Sequence, residues 1–391
     1  MRYNQPMMFS SLNSPVWVDH PTALQRMVND LKQRRHVAVD TESNSLFAYK
    51  EQVCLIQISN RDTDYLVDPL ALSDLSSLGQ IFIDANIEKI FHAAEYDLIC
   101  LKRDFGFQFS NIFDTMIAAR TVGREALGLG ALLKEHFDVT LDKRNQRANW
   151  GKRPLPPSML AYARLDSHFL IPLRYRLKEE LLQKGRWELA REDFARQCSV
   201  AVTTNGSNGN GNGACWKVAG EMNVPPRIAA VLQALCTYRD QYARTANLPI
   251  FKVISNEMLL KIALEMPLSK EDLEKMEGVP RSILLRHGNG LLTAVDQGLS
   301  ADPPARPTPS RRPSEQYLAR VDALRAWRKQ AAQKMGVLSD VILPRDVLYN
   351  IAQANPQQPA DLQALMPDLP WRFQSFGKEI LQVVNGLRSD S

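Results

Sequence analysis

The chain has 391 residues and a hydrophobic fraction of 45%, enough for two to three domains with real cores. Its 48 Lys and Arg stand against 43 Asp and Glu, and a net charge of +5 excludes a polycation that grips nucleic acid over its whole surface; such a partner must meet a local patch. The five cysteines, at 54, 100, 198, 215 and 236, are odd in number and form no CxxC pair, which argues against a disulfide framework, a zinc ribbon or an iron–sulfur site and fits a reducing cytosol.

The opening MRYNQPMMFSSLNSP has no apolar run of signal-peptide length, and no later segment approaches a membrane span, so a soluble, cytoplasmic protein is expected. From about Pro15 to Cys198 short β-branched runs alternate with helical ones. RRHVAVDTES and EQVCLIQISN read as neighbouring strands, TDYLVDPL as a third, and EKIFHAAE as a short strand turning into a helix. FDTMIAARTV, LGALLKEHF and the long PSMLAYARLDSHFLIPLRYRLKEELLQKG read as helices. Strands first and helices afterwards predict an α/β domain with a mixed sheet over 15–200.

NGSNGNGNGA follows, with too little apolar mass to repay the entropy of ordering it, and 201–215 reads as a flexible linker. A second break, the Pro/Arg-rich stretch within 300–316, is expected to be extended and exposed. The segments after these breaks, 216–299 and 317–386, are related: a shift of 89 positions matches Leu259 with Leu348, Ile262 with Ile351, Pro267 with Pro356, Leu273 with Leu362, Gly288 with Gly377 and Val295 with Val384. One small helical fold therefore occurs twice. Residues 233–296 carry eight basic and eight acidic side chains and 322–385 seven and six, so neither copy announces a nucleic-acid patch by charge. Modules that only make protein contacts remain an open reading.

The strongest chemical signal is VAVDTES. Side chains alternate along a strand, so Asp40 and Glu42 share a face and Thr41 takes the other. For this pair alone, a metal site and a strand that merely ends in solvent read equally well. Asp97 sits in the first turns of a probable helix after the strand around Ile90, with His92 and Glu95 ahead of it, near a strand end where α/β sites gather. Asp114 reads as a helix cap. In YARLDSHFL, Tyr162 and Asp166 are one turn apart on one helix face.

Four converging carboxylates without His or Cys partners suit two hard divalent cations, Mg²⁺ or Mn²⁺, rather than zinc. A two-metal carboxylate site serves phosphoryl transfer, which makes a phosphodiester the expected substrate. A phenol with a reference pKa near 10 is a poor base at neutral pH, so Tyr162 is expected to orient water. KRNQRANWGKR places Lys143, Arg144, Arg147, Lys152 and Arg153 beside Gln146 and Trp150 with no acid. Cations for phosphates and a ring for stacking would suit a single-stranded end; a solvated loop is the bland alternative.

DTE at 40–42, HAAEYDL at 92–98 and YARLD at 162–166 resemble the three exonuclease motifs of the DEDD superfamily, in the subgroup with tyrosine in the last. With LDKRNQRANWGKRPL and the two repeats, the chain resembles the ribonuclease D family from about Trp17 to Val384. The resemblance implies a ribonuclease-H-like 3'–5' exonuclease domain and two all-helical HRDC-like domains. It implies that Asp40, Glu42, Asp97 and Asp166 bind two divalent cations, with Asp40 shared by both and Tyr162 placing the nucleophilic water. It also implies trimming of RNA from single-stranded 3' ends, precursor tRNA above all, with release of nucleoside 5'-monophosphates. His92 is expected to shape the pocket, or else to be a buried, satisfied histidine. A monomer is expected. A DNA 3'–5' exonuclease, an endonuclease and a non-catalytic nucleic-acid-binding protein remain alternatives.

Overall fold

In the computed structural model, residues 13–202, 214–220, 222–306 and 313–386 are described. They form two compact units, one of 13–43, 53–202 and 313–386, the other of 44–52, 214–220 and 222–306. Among the described residues no helix is long and apolar enough to cross a membrane.

The first unit opens with β1 (Val16–Val18) and α1 (Pro21–Leu31), followed by the strands β2 (His36–Ser43), β3 (Val53–Ser59) and β4 (Asp64–Val67). Next come α2 (Ser76–Ile83), β5 (Glu88–Phe91), α3 (Glu95–Phe105), β6 (Ile112–Asp114), α4 (Thr115–Val122) and α5 (Leu129–Phe137). Three helices, α6 (Pro157–His168), α7 (Leu170–Gln183) and α8 (Trp187–Cys198), complete this part. The sheet order is β1-β4-β3-β2-β5-β6. The pairs β2/β3 and β3/β4 are antiparallel, whereas β1/β4, β2/β5 and β5/β6 are parallel. This is the mixed α/β architecture that the alternation predicts. β3 is buried along its whole length, because cores lie on both faces of the sheet.

Two features differ from the sequence reading. β1 and β6 are parallel strands of three residues, too short for an alternation to show. The long helix expected after Ser158 breaks between His168 and Leu170, because Pro172 has no N–H for the carbonyl four residues back.

The second unit contains α9 (Ala214–Ala219), α10 (Pro226–Thr245), α11 (Asn256–Glu265), α12 (Lys270–Lys275) and α13 (Arg281–Ser300). Residues 44–52 belong to it: the Tyr49 hydroxyl donates to Asp240 (2.8 Å) and Lys252 sits over the Phe47 ring. The chain ends in the first unit with α14 (Glu315–Met335), α15 (Ser339–Ile342), α16 (Arg345–Ala354), α17 (Pro359–Ala364) and α18 (Pro370–Gly386). The starts of α10, α11, α12 and α13 are repeated at α14, α16, α17 and α18, each 89 residues later. The matched Leu, Ile and Val positions are all core residues. Gly288 and Gly377 face the paired leucines of the short helix, where a Cβ would meet Leu273 at 3.8 Å and Leu362 at 3.7 Å, but only Gly377 is tight, with Phe373 at 3.2 Å.

Of the expected linkers, 203–213 and 307–312 lie outside the described residues. At their ends helix begins sooner than the sequence suggests, with α9 covering 214–215 and α14 starting at Glu315 behind a Ser314 cap. The second repeat is joined to α8 by Arg372. Its fully buried guanidinium donates to Glu192 (2.8 Å), Asp193 (2.8 Å) and the Val341 carbonyl (2.8 Å), while Glu192 also accepts from the Arg372 backbone. Breaking a buried pair strands the remaining charges. Arg372→Ala is therefore expected to cost about 3–5 kcal/mol, read as a lower denaturant midpoint; an unchanged midpoint would refute this role.

Candidate active site

β2 enters the sheet apolar, with Val37, Ala38 and Val39 fully buried, and turns acidic at 40 and 42. Asp40 pairs with Gln57 and Glu42 with Leu55. Residues opposite each other on antiparallel strands share a face, so both carboxylates rise over the face where Leu55 and Leu66 pack against Met159 and Ala163 of α6. The register shifts between Glu42 and Ser43, making Glu42 the last residue before a local irregularity.

Thr41 takes the other face, and its hydroxyl donates to the Asp97 carboxylate. Asp97 stands in the first turn of α3, behind Ala93 at φ 60, a left-handed conformation uncommon for alanine. Asp114 holds that turn by accepting from the amides of Ala93 (3.1 Å) and Ala94 (2.8 Å). It also caps α4 through the amides of Met116 and Ile117. The cap read from sequence thus fastens two helix starts.

Tyr162 and Asp166 come from α6, which Asp64 on β4 clamps to the sheet. The Asp64 carboxylate receives Arg164, His168 (2.9 Å) and Ser59 (2.7 Å), and Ser59 meets Ser167 at 2.8 Å. Burial acts to raise this carboxyl, but the bonds from His168, Ser59 and Arg164 outweigh it and leave it below its usual value. The Tyr162 hydroxyl is hydrogen-bonded to Asp166.

The four acids from three segments act on one another. Burial, then Asp166, holds Asp40 well above the usual carboxylate range; burial, then Asp40, does the same to Asp97. Glu42 is pushed up to about 10 by burial and by Asp40, Asp166 and Asp97. Asp166 is raised to about 7 by burial, against the opposing bond from Tyr162. The charges felt by Asp40, Glu42 and Asp97 are other carboxylates. Among the described residues no three Asp, Glu, His or Cys side chains form a finished ion cage; the acids adjoin without yet converging on one point. An all-oxygen donor set of this charge fits hard divalent cations.

Sequence reasoning missed Gln57. It lies opposite Asp40, is 0% exposed, and has neither amide atom hydrogen-bonded. The available signal was one amide inside the apolar run VCLIQIS.

The basic loop divides. Lys143, Arg144, Gln146, Arg147 and Lys152 are exposed, with Arg144 paired to Asp142 (2.7 Å). Two expectations are corrected. Trp150 is 1% exposed, so its ring is not offered to a base; it packs 6.0 Å from the Tyr162 ring instead. Arg153 is committed to both Asp68 oxygens (2.6 Å each) and to the Cys54 carbonyl, so it braces the loop rather than reaching for phosphate. His92 is half-buried, its Nδ1 3.0 Å from the Thr115 hydroxyl, and burial lowers its pKa. A cleft of about 690 Å³ at the opposite end of β2, lined by Arg34, His36, Tyr175 and Arg176 among others, contains none of the four acids.

The chain is similar to known proteins over both of its parts. A family model described as 3'-5' exonuclease matches residues 15–182, and the HRDC domain matches twice, at 228–295 and 318–384. Ribonuclease D of Bartonella henselae is 27% identical over 380 residues, covering 94% of this chain and 90% of its own. The exosome complex exonuclease RRP6 of Saccharomyces cerevisiae is 32% identical over 65% of this chain, which spans only 36% of the yeast protein. The solved structure of Escherichia coli ribonuclease D shares the fold over 96% of this chain and 99% of its own, at 24% identity and a TM-score of 0.67.

Removing one of the crowded charges should relieve the fold. Asp40→Asn and Asp97→Asn are each expected to raise the melting temperature measured in chelator, at about 2–4 °C per kcal/mol of relief. A carboxyl raised in the folded state costs stability as pH climbs through its folded value. The gain should therefore be larger at about pH 8 than at about pH 5, and a loss at both would contradict the mutual repulsion.

Proposed function

The chain belongs to the ribonuclease D family of 3'–5' exoribonucleases, and on that premise we propose that Asp40, Glu42, Asp97, Tyr162 and Asp166 form its hydrolytic centre. What supports the reading above all is geometry: Asp40 and Glu42 share one face of β2, Tyr162 of the helix that also carries Asp166 packs on the apolar cluster of that face, and Thr41 between the two acids bonds Asp97, so that acids from three separated segments adjoin. The family is divalent-metal dependent. Two Mg²⁺ or Mn²⁺ would be held by Asp40, Glu42, Asp97 and Asp166. Cations in such a site acidify a water and stabilise the departing 3' oxygen.

The protein's own groups do the rest. Burial, and then Asp166, Glu42 and Asp40, push the Tyr162 phenol up, so it stays protonated at neutral pH. Its O–H donates a hydrogen bond to Asp166, and its oxygen keeps lone pairs to accept a hydrogen bond from the attacking water. Tyr162 is thus an orienting group and not the base. Buried Trp150 and the Asp64 clamp keep it in place.

The substrate is RNA with a single-stranded 3' end, and precursor tRNA is the proposed physiological class. In-line attack on the last phosphodiester releases one nucleoside 5'-monophosphate. Lys143, Arg144, Gln146, Arg147 and Lys152 would follow the backbone of the incoming strand, with His92 shaping the pocket wall. The chain would act as a monomer, its HRDC domains either gripping the RNA or narrowing the entrance.

A 3'-extended tRNA precursor with Mn²⁺ should yield a ladder shortened from the 3' end and 5'-monophosphates, while internal cuts or a preference for matched DNA would refute the assignment. Asp40→Asn and Asp166→Asn should each reduce turnover beyond the ~10–100-fold that loss of an outer-shell partner costs. Protons compete with metal for the raised carboxyls. The Mn²⁺ concentration for half-maximal rate should therefore fall as pH rises through about 7, the value of Asp166; a flat dependence would show that the acids are already ionised. Trp150→Ala is expected to lower kcat and leave KM largely unchanged, which steady-state kinetics would check.

A further inference from the structure

Gln57 is costly where it stands. Its side chain is 0% exposed, and neither its amide nitrogen nor its amide oxygen has a hydrogen-bond partner. A buried amide left unsatisfied weakens a fold, whereas an apolar side chain of similar shape at the same place would not. The rest of β3 is Val, Cys, Leu, Ile and Ser, and its other polar side chain, Ser59, is fully engaged with Asp64 and Ser167. Gln57 alone is unresolved.

The register says what it lies beside. Gln57 pairs with Asp40 on one side and with Leu66 on the other. Directly opposite residues of an antiparallel pair share a face, with Cβ atoms about 4.5–5.5 Å apart. Leu66 offers nothing polar and belongs to the apolar cluster that includes Ala163 of α6. The polar side chain opposite is therefore Asp40, one of the four acids that would hold the cations.

We propose that Gln57 is a positioning residue: its amide N–H₂ donates across the β2–β3 pair to the Asp40 carboxylate when that group is charged and ligating, and fixes its orientation toward the divalent cations. The inference rests on the metal-site reading above. Ligating carboxylates are commonly held by such an outer hydrogen bond, whose loss costs ~10–100-fold in metal affinity or activity. Gln57 would then be kept at the expense of the metal-free fold, because its partner is complete only in the loaded site.

The test uses Gln57→Met, similar in length and without hydrogen-bonding capacity, and Gln57→Leu as a second apolar variant; a melting temperature in chelator certifies the fold of each. Calorimetric titration with Mn²⁺ is the primary readout. Expected are a melting temperature equal to or above wild type in chelator, Mn²⁺ binding weaker by ~10–100-fold, a smaller Mn²⁺-induced rise in melting temperature, and a kcat recovered by excess Mn²⁺ with KM for RNA unchanged. Wild-type Mn²⁺ affinity in either folded variant overturns the proposal and leaves the metal site standing. If the wild-type chain binds no Mn²⁺, the metal site and the proposal fall together.

Discussion

Like charges crowded into a buried, poorly solvated place repel strongly, and the first unit is organised to hold four acids near one another regardless. β2 does part of this by alternation alone, which puts Asp40 and Glu42 on one face. The remainder requires fastening. Asp114 locks the turn that launches Asp97, and Asp64 clamps the helix that carries Tyr162 and Asp166. Neither fastener belongs to the cluster, yet without them the acids would have no reason to stay near one another.

The two HRDC domains share a fold but not a role in that scaffold. Arg372 of the second is buried against Glu192 and Asp193 and bonded to both, which makes α18 continuous with the exonuclease part. The position 89 residues earlier is Ile283, so the first copy has no equivalent arginine. A buried ion network of this kind is weak evidence of net stability, but it penalises every arrangement in which one partner is missing. It specifies a single docking of the second copy.

The carboxylate cluster also explains features that packing alone would not. An all-apolar strand would be better served by leucine at 57, and an α6 fixed only for stability would not present Tyr162 and Asp166 to other acids. Locally unfavourable choices gathered in one neighbourhood are the physical mark of a site under functional selection. Trp150 belongs to the same pattern from the other side: a ring expected to stack on a base is buried against Tyr162 instead.

Much was readable from local pattern. The three motif segments, the 89-residue repeat and the strand-then-helix order depend on neighbours a few residues apart or on self-similarity, and these are written in the chain. What sequence could not decide was which polar residues face inward. Arg153 and Trp150 lie in a loop whose composition matches an open basic patch; their fates were set by Asp68 and Tyr162, partners far away in sequence that only folding supplies. The same holds for Gln57, whose meaning depends on the register that puts it opposite Asp40. Residue type and spacing determined the chemistry available to this protein, because alternation and helical period act locally. Tertiary structure decided which of those groups stand beside the four acids, because burial and cross-strand pairing are properties of segments brought together.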